Sequence, residues 1–248
     1  MAKTPIGLQL FTVRDLLQED FVGTLEKVAE LGYDGVEFAG YGDLTPTELK
    51  KVLDDLGLKA AGAHVPLEML ESDLDRVIEY HQTLESKFVS CPYVVEERRN
   101  DWPAIAQSLA KIAPRLKENG IQLLYHNHDF EFEKIDGQYV LDYLFSTLGS
   151  DLIQAELDIY WVTRAGEDPA AYIEKYSGRV PIVHLKDMAD DENRSFAEVG
   201  EGIIDLEPIF AAAEANGVEW YIVEQDICQR PPLESAKLSL ENLRRMGK

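Results

Sequence analysis

Residues 102–125 read WPAIAQSLAKIAPRLKENGIQLLY, and they hold one unit of a pattern that runs through the chain. The apolar periodicity over Trp102–Asn119 predicts a helix, Asn119-Gly120 is a helix stop, and Ile121–Tyr125 is a short apolar strand. The same junction occurs at two other places, Leu56-Gly57 and Asn216-Gly217. Helices that stop at glycine and lead directly into a strand are typical of α/β proteins.

Outward from this unit, short β-rich segments alternate with helical ones along the whole sequence. The predicted strands are Ile6–Phe11, Gly35–Phe38, Leu58–His64, Phe88–Cys91, Ile121–Tyr125, Ile153–Leu157, Val180–Leu185 and Tyr221–Val223. The predicted helices are Asp20–Leu31, Pro46–Leu56, Leu70–Leu84, Trp102–Asn119, Tyr139–Leu148, Pro169–Tyr176, Leu206–Asn216 and Leu233–Met246.

Strands that alternate with helices imply a parallel sheet, and eight units without a break predict a closed (β/α)8 TIM barrel. We expect one such domain over residues 1–248. The alternative is an open, doubly wound sheet. That fold usually carries a glycine-rich nucleotide-binding loop, and neither GxGxxG nor GxxxxGK[ST] follows any predicted strand.

Net charge, cysteine spacing and the length of apolar runs exclude several classes of function. The 248 residues carry a formal net charge of −22, which repels nucleic-acid backbones and anionic membranes. Cys91 and Cys228 have neither metal-site nor disulfide spacing, and no apolar run approaches the ~20 residues of a membrane span. We therefore expect a cytoplasmic protein with a small-molecule partner, without a nucleic-acid or membrane partner; a homo-oligomer is compatible with the sequence.

Reactive side chains lie at the ends of the predicted strands, where barrel enzymes build their active sites. Four of the five histidines are there, and only His81 falls in a predicted helix. The strand-end residues are Glu37, His64, His126, His128, Glu131, Glu156, Asp158, His184, Lys186, Asp187, Glu224 and Asp226.

Carboxylates together with imidazoles can hold a divalent cation such as Mn, Zn, Co or Mg. A cation held in this way polarises a carbonyl while a neighbouring carboxylate moves protons. Several of these residues also have purely structural interpretations. Glu156 lies two residues before Asp158 on the same strand face and could be a supporting group, Lys186 could form a loop ion pair with Asp187, and Trp161 either closes over a ligand or caps the barrel.

Five segments resemble the xylose isomerase-like barrel family of sugar phosphate isomerases and epimerases. They are GLQLFTVR at 7–14, YHNHDFEF at 125–132, ELDIYWV at 156–162, HLKD at 184–187 and VGEGIID at 199–205. The resemblance covers essentially the whole chain. It implies a metal-dependent isomerase or epimerase that acts on a small sugar, sugar phosphate or hydroxy-ketone through an enediolate.

Carried over residue by residue, the resemblance implies that Asp158, His184 and Glu224 are metal ligands. The family places a further glutamate at the end of strand five, where this chain has His126. We expect Glu131 to supply that carboxylate, with His126 or His128 as the alternative ligand. Glu131 and Glu224 would then transfer protons. If only Glu224 acts as a base, a dehydration with a histidine or Lys186 as the acid is the better fit.

The predicted substrate contacts are Glu37, His64, His126, His128 and Trp161. An inosose-type dehydratase is the alternative function, because it would use the same ligands. A non-catalytic sugar-binding barrel is less favoured. So is an abasic-site endonuclease, because the net charge of −22 disfavours DNA.

Overall fold

The computed structural model describes residues 3–248 and confirms the closed (β/α)8 barrel. Its eight strands are β1 Ile6–Gln9, β2 Gly35–Phe38, β3 Lys59–His64, β4 Phe88–Cys91, β5 Gln122–His126, β6 Ile153–Asp158, β7 Ile182–Leu185 and β8 Trp220–Val223. Each strand pairs in parallel with the next in sequence, and β8 pairs with β1 to close the barrel.

Eight helices follow the strands in turn. They are α1 Phe21–Leu31, α2 Pro46–Leu56, α3 Leu74–Thr83, α4 Trp102–Glu118, α5 Val140–Leu148, α6 Pro169–Lys175, α7 Leu206–Asn216 and α8 Pro232–Arg245. Short helices and 3-10 turns lie in the connections at Leu10–Val13, Arg14–Glu19, Leu67–Ser72, Glu96–Arg98, Phe130–Phe132 and Ile159–Arg164. Two-stranded hairpins join Lys134–Ile135 to Gln138–Tyr139 and Asp187–Met188 to Phe196–Ala197.

Local sequence explains the helix boundaries. Thr45 and Glu48 form a reciprocal capping box at the start of α2, which ends at Gly57 in the left-handed region with φ 69°. Asp168 caps α6 by accepting the backbone N–H groups of Ala170 and Ala171, with proline at the first helical position. Because these signals are local, they can be read from the sequence.

Two of the differences between predicted and observed elements have a clear backbone cause. The first strand ends at Gln9 rather than Phe11, because Leu10–Val13 turns into a 3-10 helix. The predicted helix Leu70–Leu84 is two helices, since Asp73 adopts a non-helical backbone with φ −140° and ψ 46° between Leu67–Ser72 and α3.

Apolar side chains form two separate cores. The larger core lies between the sheet and the helices. A smaller core fills the barrel interior and consists of Ala61, Phe88, Leu124, Ile182 and Ile222, with Trp220 packed against it. Within residues 3–248, no helix combines the length and the apolar character that a bilayer crossing requires.

Candidate active site

A polar layer lies directly above the apolar barrel interior. Side chains alternate along a strand, so residues two positions beyond an interior residue face the same interior. Leu124 is followed by His126, Ile182 by His184, and Ile222 by Glu224. Strand geometry thus carries three reactive groups from three strands into one layer, at the carboxyl-terminal end where barrel sites form.

Four buried side chains of this layer form one cluster. His126, Asp158, His184 and Glu224 each offer a ligand atom, and these atoms lie within 4.8 Å of one another. Nε2 of His126 lies 3.3 Å from Oδ2 of Asp158, and Nδ1 of His184 lies 2.8 Å from Oε2 of Glu224. Two imidazoles and two carboxylates are a donor set suited to a divalent transition-metal ion.

Two of the candidate ligand atoms make no hydrogen bond, which fits metal binding. Nε2 of His126 and Oδ2 of Asp158 are buried, and neither has a hydrogen-bond partner among the described residues. The nearest cation to Oδ2 of Asp158 is the Lys186 ammonium at 3.1 Å, and Nε2 of His126 has no cation of its own. A metal ion bound by both atoms would satisfy both lone pairs. The cluster can therefore hold a metal ion.

Glu37 supports the cluster from behind His184. Its Oε2 lies 2.7 Å from Nε2 of His184 and also accepts a hydrogen bond from Nε2 of Gln9 at 2.7 Å. This arrangement leaves Nδ1 of His184 on the side of Glu224, 2.8 Å from its Oε2. A carboxylate behind a ligating imidazole fixes the ring orientation and the tautomer.

Lys186 is a buried cation among three carboxylates. Its Nζ lies 3.1 Å from Asp158, 2.9 Å from Glu224 and 2.9 Å from Asp226. Burial opposes the ammonium form, but these carboxylates outweigh burial and hold the pKa of Lys186 well above its usual range. The alternative ion pair with Asp187 does not form, because Asp187 accepts four backbone N–H groups instead.

A second pair, His64 and Glu156, lies beside the cluster. Nε2 of His64 is 2.6 Å from Oε2 of Glu156 and 3.3 Å from Oε2 of Glu37. Burial opposes the charged form of His64, but the carboxylates of Glu37 and Glu156 prevail and raise its pKa. His64 also lines the cavity over the site, so the pair places an imidazole with a raised pKa at the cavity wall.

Burial shifts the pKa values of three further groups in the site. Burial in the barrel, followed by the charge of Glu156, raises the pKa of Glu37 to about 7. Burial lowers the pKa of His126 to about 4 and holds that of His128 well below its usual range. Both imidazoles are therefore neutral near pH 7 and keep a lone pair for a cation or for a substrate hydroxyl.

Glu131 lies apart from the cluster, in contrast to its predicted role as a ligand and base. Its carboxylate accepts hydrogen bonds from the Tyr125 hydroxyl at 2.6 Å and from the backbone N–H of His128 at 2.7 Å. Tyr125 belongs to the outer core, on the opposite face of β5 from His126. The structure thus brings His126, rather than Glu131, together with Asp158, His184 and Glu224.

The 125–132 segment has further roles that the sequence did not reveal. The Asn127 side chain accepts a hydrogen bond from the backbone N–H of Asp158 at 3.0 Å and donates to its carbonyl at 3.4 Å. The His128 ring lines the cavity and packs 5.1 Å from the Trp161 ring, between centroids. Asn127 therefore fixes the backbone of a candidate ligand, and Trp161 contacts His128.

Asp187 organises the loop that contains the VGEGIID motif. Its carboxylate accepts N–H groups from Met188 at 2.8 Å, Gly200 at 2.9 Å, Gly202 at 3.1 Å and Ile204 at 3.2 Å. A Cβ on Gly202 would overlap the Asp187 carboxylate and the Met188 carbonyl. The glycine at 202 is therefore needed for close approach, and this motif has a structural role beside the site.

A cavity of about 590 Å³ opens over the cluster. Its inner end is lined by His64, His126, His128, Lys186, Glu224 and Asp226. Sequence reasoning did not identify Gln9, and it named Asp226 only as a strand-end residue without a role. For both, alternation was the available signal: Gln9 lies two residues beyond Gly7, and Asp226 two beyond Glu224.

The chain is similar to known enzymes over nearly its whole length. An inosose dehydratase of Lacticaseibacillus casei is 25% identical, with the match covering 94% of this chain and 92% of that protein. A solved sugar phosphate isomerase/epimerase from Parabacteroides distasonis superposes with a TM-score of 0.85 at 23% identity, covering 98% and 94% of the two chains. A solved L-ribulose 3-epimerase gives 0.70 at 22% identity, covering 99% and 97%.

The family assignment rests on a broader match. The sequence profile of the xylose isomerase-like TIM barrel family matches residues 25–246, which include β2 to β8 and all the candidate ligands. The resemblance seen in five short segments thus extends over most of the sequence. The chain belongs to the xylose isomerase-like TIM barrel family.

Proposed function

We propose that this protein is a divalent-metal-dependent lyase that removes water from a keto-cyclitol or a related keto-sugar. The observation that carries the proposal is the position of Glu131. A two-base isomerase needs a second carboxylate at the metal, supplied from the end of β5. Here the end of β5 holds the neutral His126, and Glu131 instead accepts a hydrogen bond from the Tyr125 hydroxyl. The similarity to inosose dehydratase points the same way.

His126, Asp158, His184 and Glu224 would hold the metal, with Glu37 orienting His184. When bound, a divalent cation polarises the substrate carbonyl and stabilises the negative charge that develops on its oxygen. Asp158 and Glu224 supply two negative charges, which offset those of a divalent ion. The cluster is buried, so these interactions act in a medium of low dielectric constant.

Glu224 is the base in this proposal. It lies at the inner end of the cavity and has one oxygen, Oε2, beside both Lys186 and His184. Removal of the proton on the carbon beside the carbonyl places that proton on Glu224. Lys186, held by Asp226 at 2.9 Å, keeps the carboxylate oriented and ionised until it reacts.

His64 is the acid. As the C–O bond to the neighbouring carbon breaks, the departing hydroxide takes a proton from the imidazolium and leaves as water. Glu156 compensates the charge of the imidazolium at 2.6 Å and fixes its ring. The net change is the loss of one water molecule and the formation of one carbon–carbon double bond, and the proton ends on Glu224.

An isomerase or epimerase is the second candidate. It is favoured by the placement of two proton carriers, His64 at the end of β3 and Glu224 directly after β8, on different walls of one cavity. Groups on separate walls could take a proton from one face of a substrate and return it to another. The same metal ligands would serve both reactions.

Product analysis distinguishes the two candidates. Mn-loaded protein incubated with a keto-inositol should form a product lighter by one water, detected by mass spectrometry and by the absorbance of a conjugated carbonyl. Asp158→Ala should lose both bound metal and activity, whereas Glu174→Gln on the exposed face of α6 should lose neither. An unchanged product mass, together with deuterium incorporation from D2O and an epimer or ketose–aldose pair, would instead establish the second candidate.

A further inference from the structure

The outer half of the active-site cavity differs in chemistry from the inner half. Aromatic and other apolar residues dominate its wall, from the loops that follow β1 to β4; these include Phe11, Tyr41, Val65, Pro66, Met69 and Tyr93. Arg76 is the one charged side chain there among the residues that the structure describes. The reacting end is therefore polar and the entrance apolar.

Two aromatic side chains at the entrance are unusually exposed. Phe11 is 40% exposed and Tyr93 is 44% exposed. Large apolar side chains at the mouth of a site commonly contact a ligand or a partner. Both line the cavity that ends at His126 and Glu224, so a molecule seated at the cluster would extend between them.

Both aromatic rings are held in place. The Arg14 guanidinium lies 4.2 Å from the Phe11 ring centroid and donates a hydrogen bond to the Phe11 carbonyl. The Arg99 guanidinium lies 4.7 Å from the Tyr93 ring, which also packs edge-on against His128 at 5.4 Å. A ring fixed in this way loses little conformational entropy when it binds a ligand.

Tyr41 contributes its aromatic ring to this wall, while its hydroxyl is already paired with another side chain. Its hydroxyl lies 3.3 Å from Nε2 of the buried His81, and its ring stacks on Tyr80 with centroids 4.1 Å apart. A phosphate would need several cations or N–H donors. Arg76 is the one arginine that lines the cavity, whereas Arg14 and Arg99 lie against the Phe11 and Tyr93 rings outside the lining. The carboxylates of Glu224 and Asp226 at the inner end would also repel an anionic substituent.

We propose that the natural substrate carries an apolar ring as a substituent on the reacting polyol, and that Phe11, Tyr41 and Tyr93 bind this ring. The substrate class is an unphosphorylated keto-sugar or keto-cyclitol with an aryl or similarly apolar group. The inference rests on the proposed reaction at the inner end. A cavity of about 590 Å³ lies within the range of pockets that take drug-sized ligands.

Binding of sugars that present no ketone tests this inference independently of the proposed dehydration. Calorimetric titration of the Mn-loaded protein would compare phenyl β-D-glucopyranoside, methyl β-D-glucopyranoside and glucose 6-phosphate, none of which presents a ketone. The phenyl glycoside should bind about tenfold more tightly than the methyl glycoside, since aromatic stacking of this kind is worth about that factor. Glucose 6-phosphate should bind more weakly than the phenyl glycoside.

Three variants and a control locate the effect. Phe11→Ala and Tyr93→Ala should each remove most of the preference for the phenyl group, and Tyr93→Phe should retain it. Ile203→Ala, which truncates an exposed apolar side chain outside the cavity, should change nothing. Equal affinities for the two glycosides, undetectable binding of the phenyl glycoside, or tighter binding of glucose 6-phosphate would each overturn the inference. Failure of the proposed reaction would appear separately, as an aryl preference in a protein that does not dehydrate a keto-inositol.

Discussion

Nε2 of His184 lies 2.7 Å from Oε2 of Glu37, and on the other edge of the ring Nδ1 lies 2.8 Å from Oε2 of Glu224. Glu37 thus sets which nitrogen of His184 faces the candidate metal cluster. Glu37 comes from β2, which supplies none of the four candidate ligands. A strand remote from the ligands in sequence therefore controls the orientation of one of them.

The first prediction concerns this orientation. Glu37→Gln should weaken Mn affinity by about 10–100-fold, because loss of a carboxylate behind a ligating histidine has effects of that size. Competition with a chelator measures the affinity. Glu174→Gln is the matched surface control. Wild-type affinity in Glu37→Gln would show that the orientation of His184 does not depend on this carboxylate.

The second prediction tests whether Glu131 is a metal ligand or a structural hydrogen-bond acceptor. Glu131→Ala should keep its full complement of bound metal, while His126→Ala should lose metal. Glu131→Ala should also lose about 1–3 kcal/mol of unfolding free energy, because the Tyr125 hydroxyl and the His128 N–H remain buried without a partner. Metal analysis and urea unfolding measure the two effects. Loss of metal from a folded Glu131→Ala protein would restore Glu131 as a ligand.

The third prediction concerns His81, which is buried in α3 away from the cluster. Burial lowers its pKa to about 4, below the value of about 6.5 in an unfolded chain. Between these values the unfolded state binds the extra proton. The contribution of His81 is thus fully present above pH 6.5 and is lost as the pH falls towards 4, by about 3 kcal/mol in all.

Urea unfolding of metal-free protein between pH 7.5 and 4.5 measures this effect. His81→Gln should show a shallower decline in stability than the wild type, because all other titrating groups are common to both proteins. Parallel stability curves for the two proteins would mean that His81 titrates normally in the folded state.

The fourth prediction concerns Gly202. Gly202→Ala should destabilise the protein by about 1–3 kcal/mol, because the added methyl group overlaps the Asp187 carboxylate and the Met188 carbonyl. Gly137→Ala is the comparison, since its Cβ would meet open space and only its positive φ of 85° is unfavourable. Thermal unfolding of both variants measures the difference. A smaller loss at 202 than at 137 would contradict the packing argument.

The sequence was sufficient for the fold and for part of the site. Helix caps and glycine stops are local signals, so each predicted strand overlaps an observed one. Asp158, His184 and Glu224 follow strands in the chain, and parallel strands must bring their ends together. Those three residues were expected together, and they lie together.

Glu131 could not be placed in the same way. It follows β5 by five residues, and the path of an irregular loop is not fixed by strand alternation. The Tyr125 hydroxyl, on the outer face of β5, binds its carboxylate. Alternation alone would have favoured His126, which shares its face with the interior Leu124. The split between Leu67–Ser72 and α3 was missed because the helical periodicity continues across Asp73.

The polar layer above the apolar interior also has a cost. Aliphatic residues could fill the interior positions that are held by Glu37, Glu156, Asp158, His184 and Lys186. Buried ion pairs often stabilise a protein less than hydrophobic replacements do. The scaffold must therefore draw its folding free energy from the rest of the barrel. A variant with an aliphatic layer should be inactive and more heat-resistant, so thermostability selected without an activity screen would tend to erase this site.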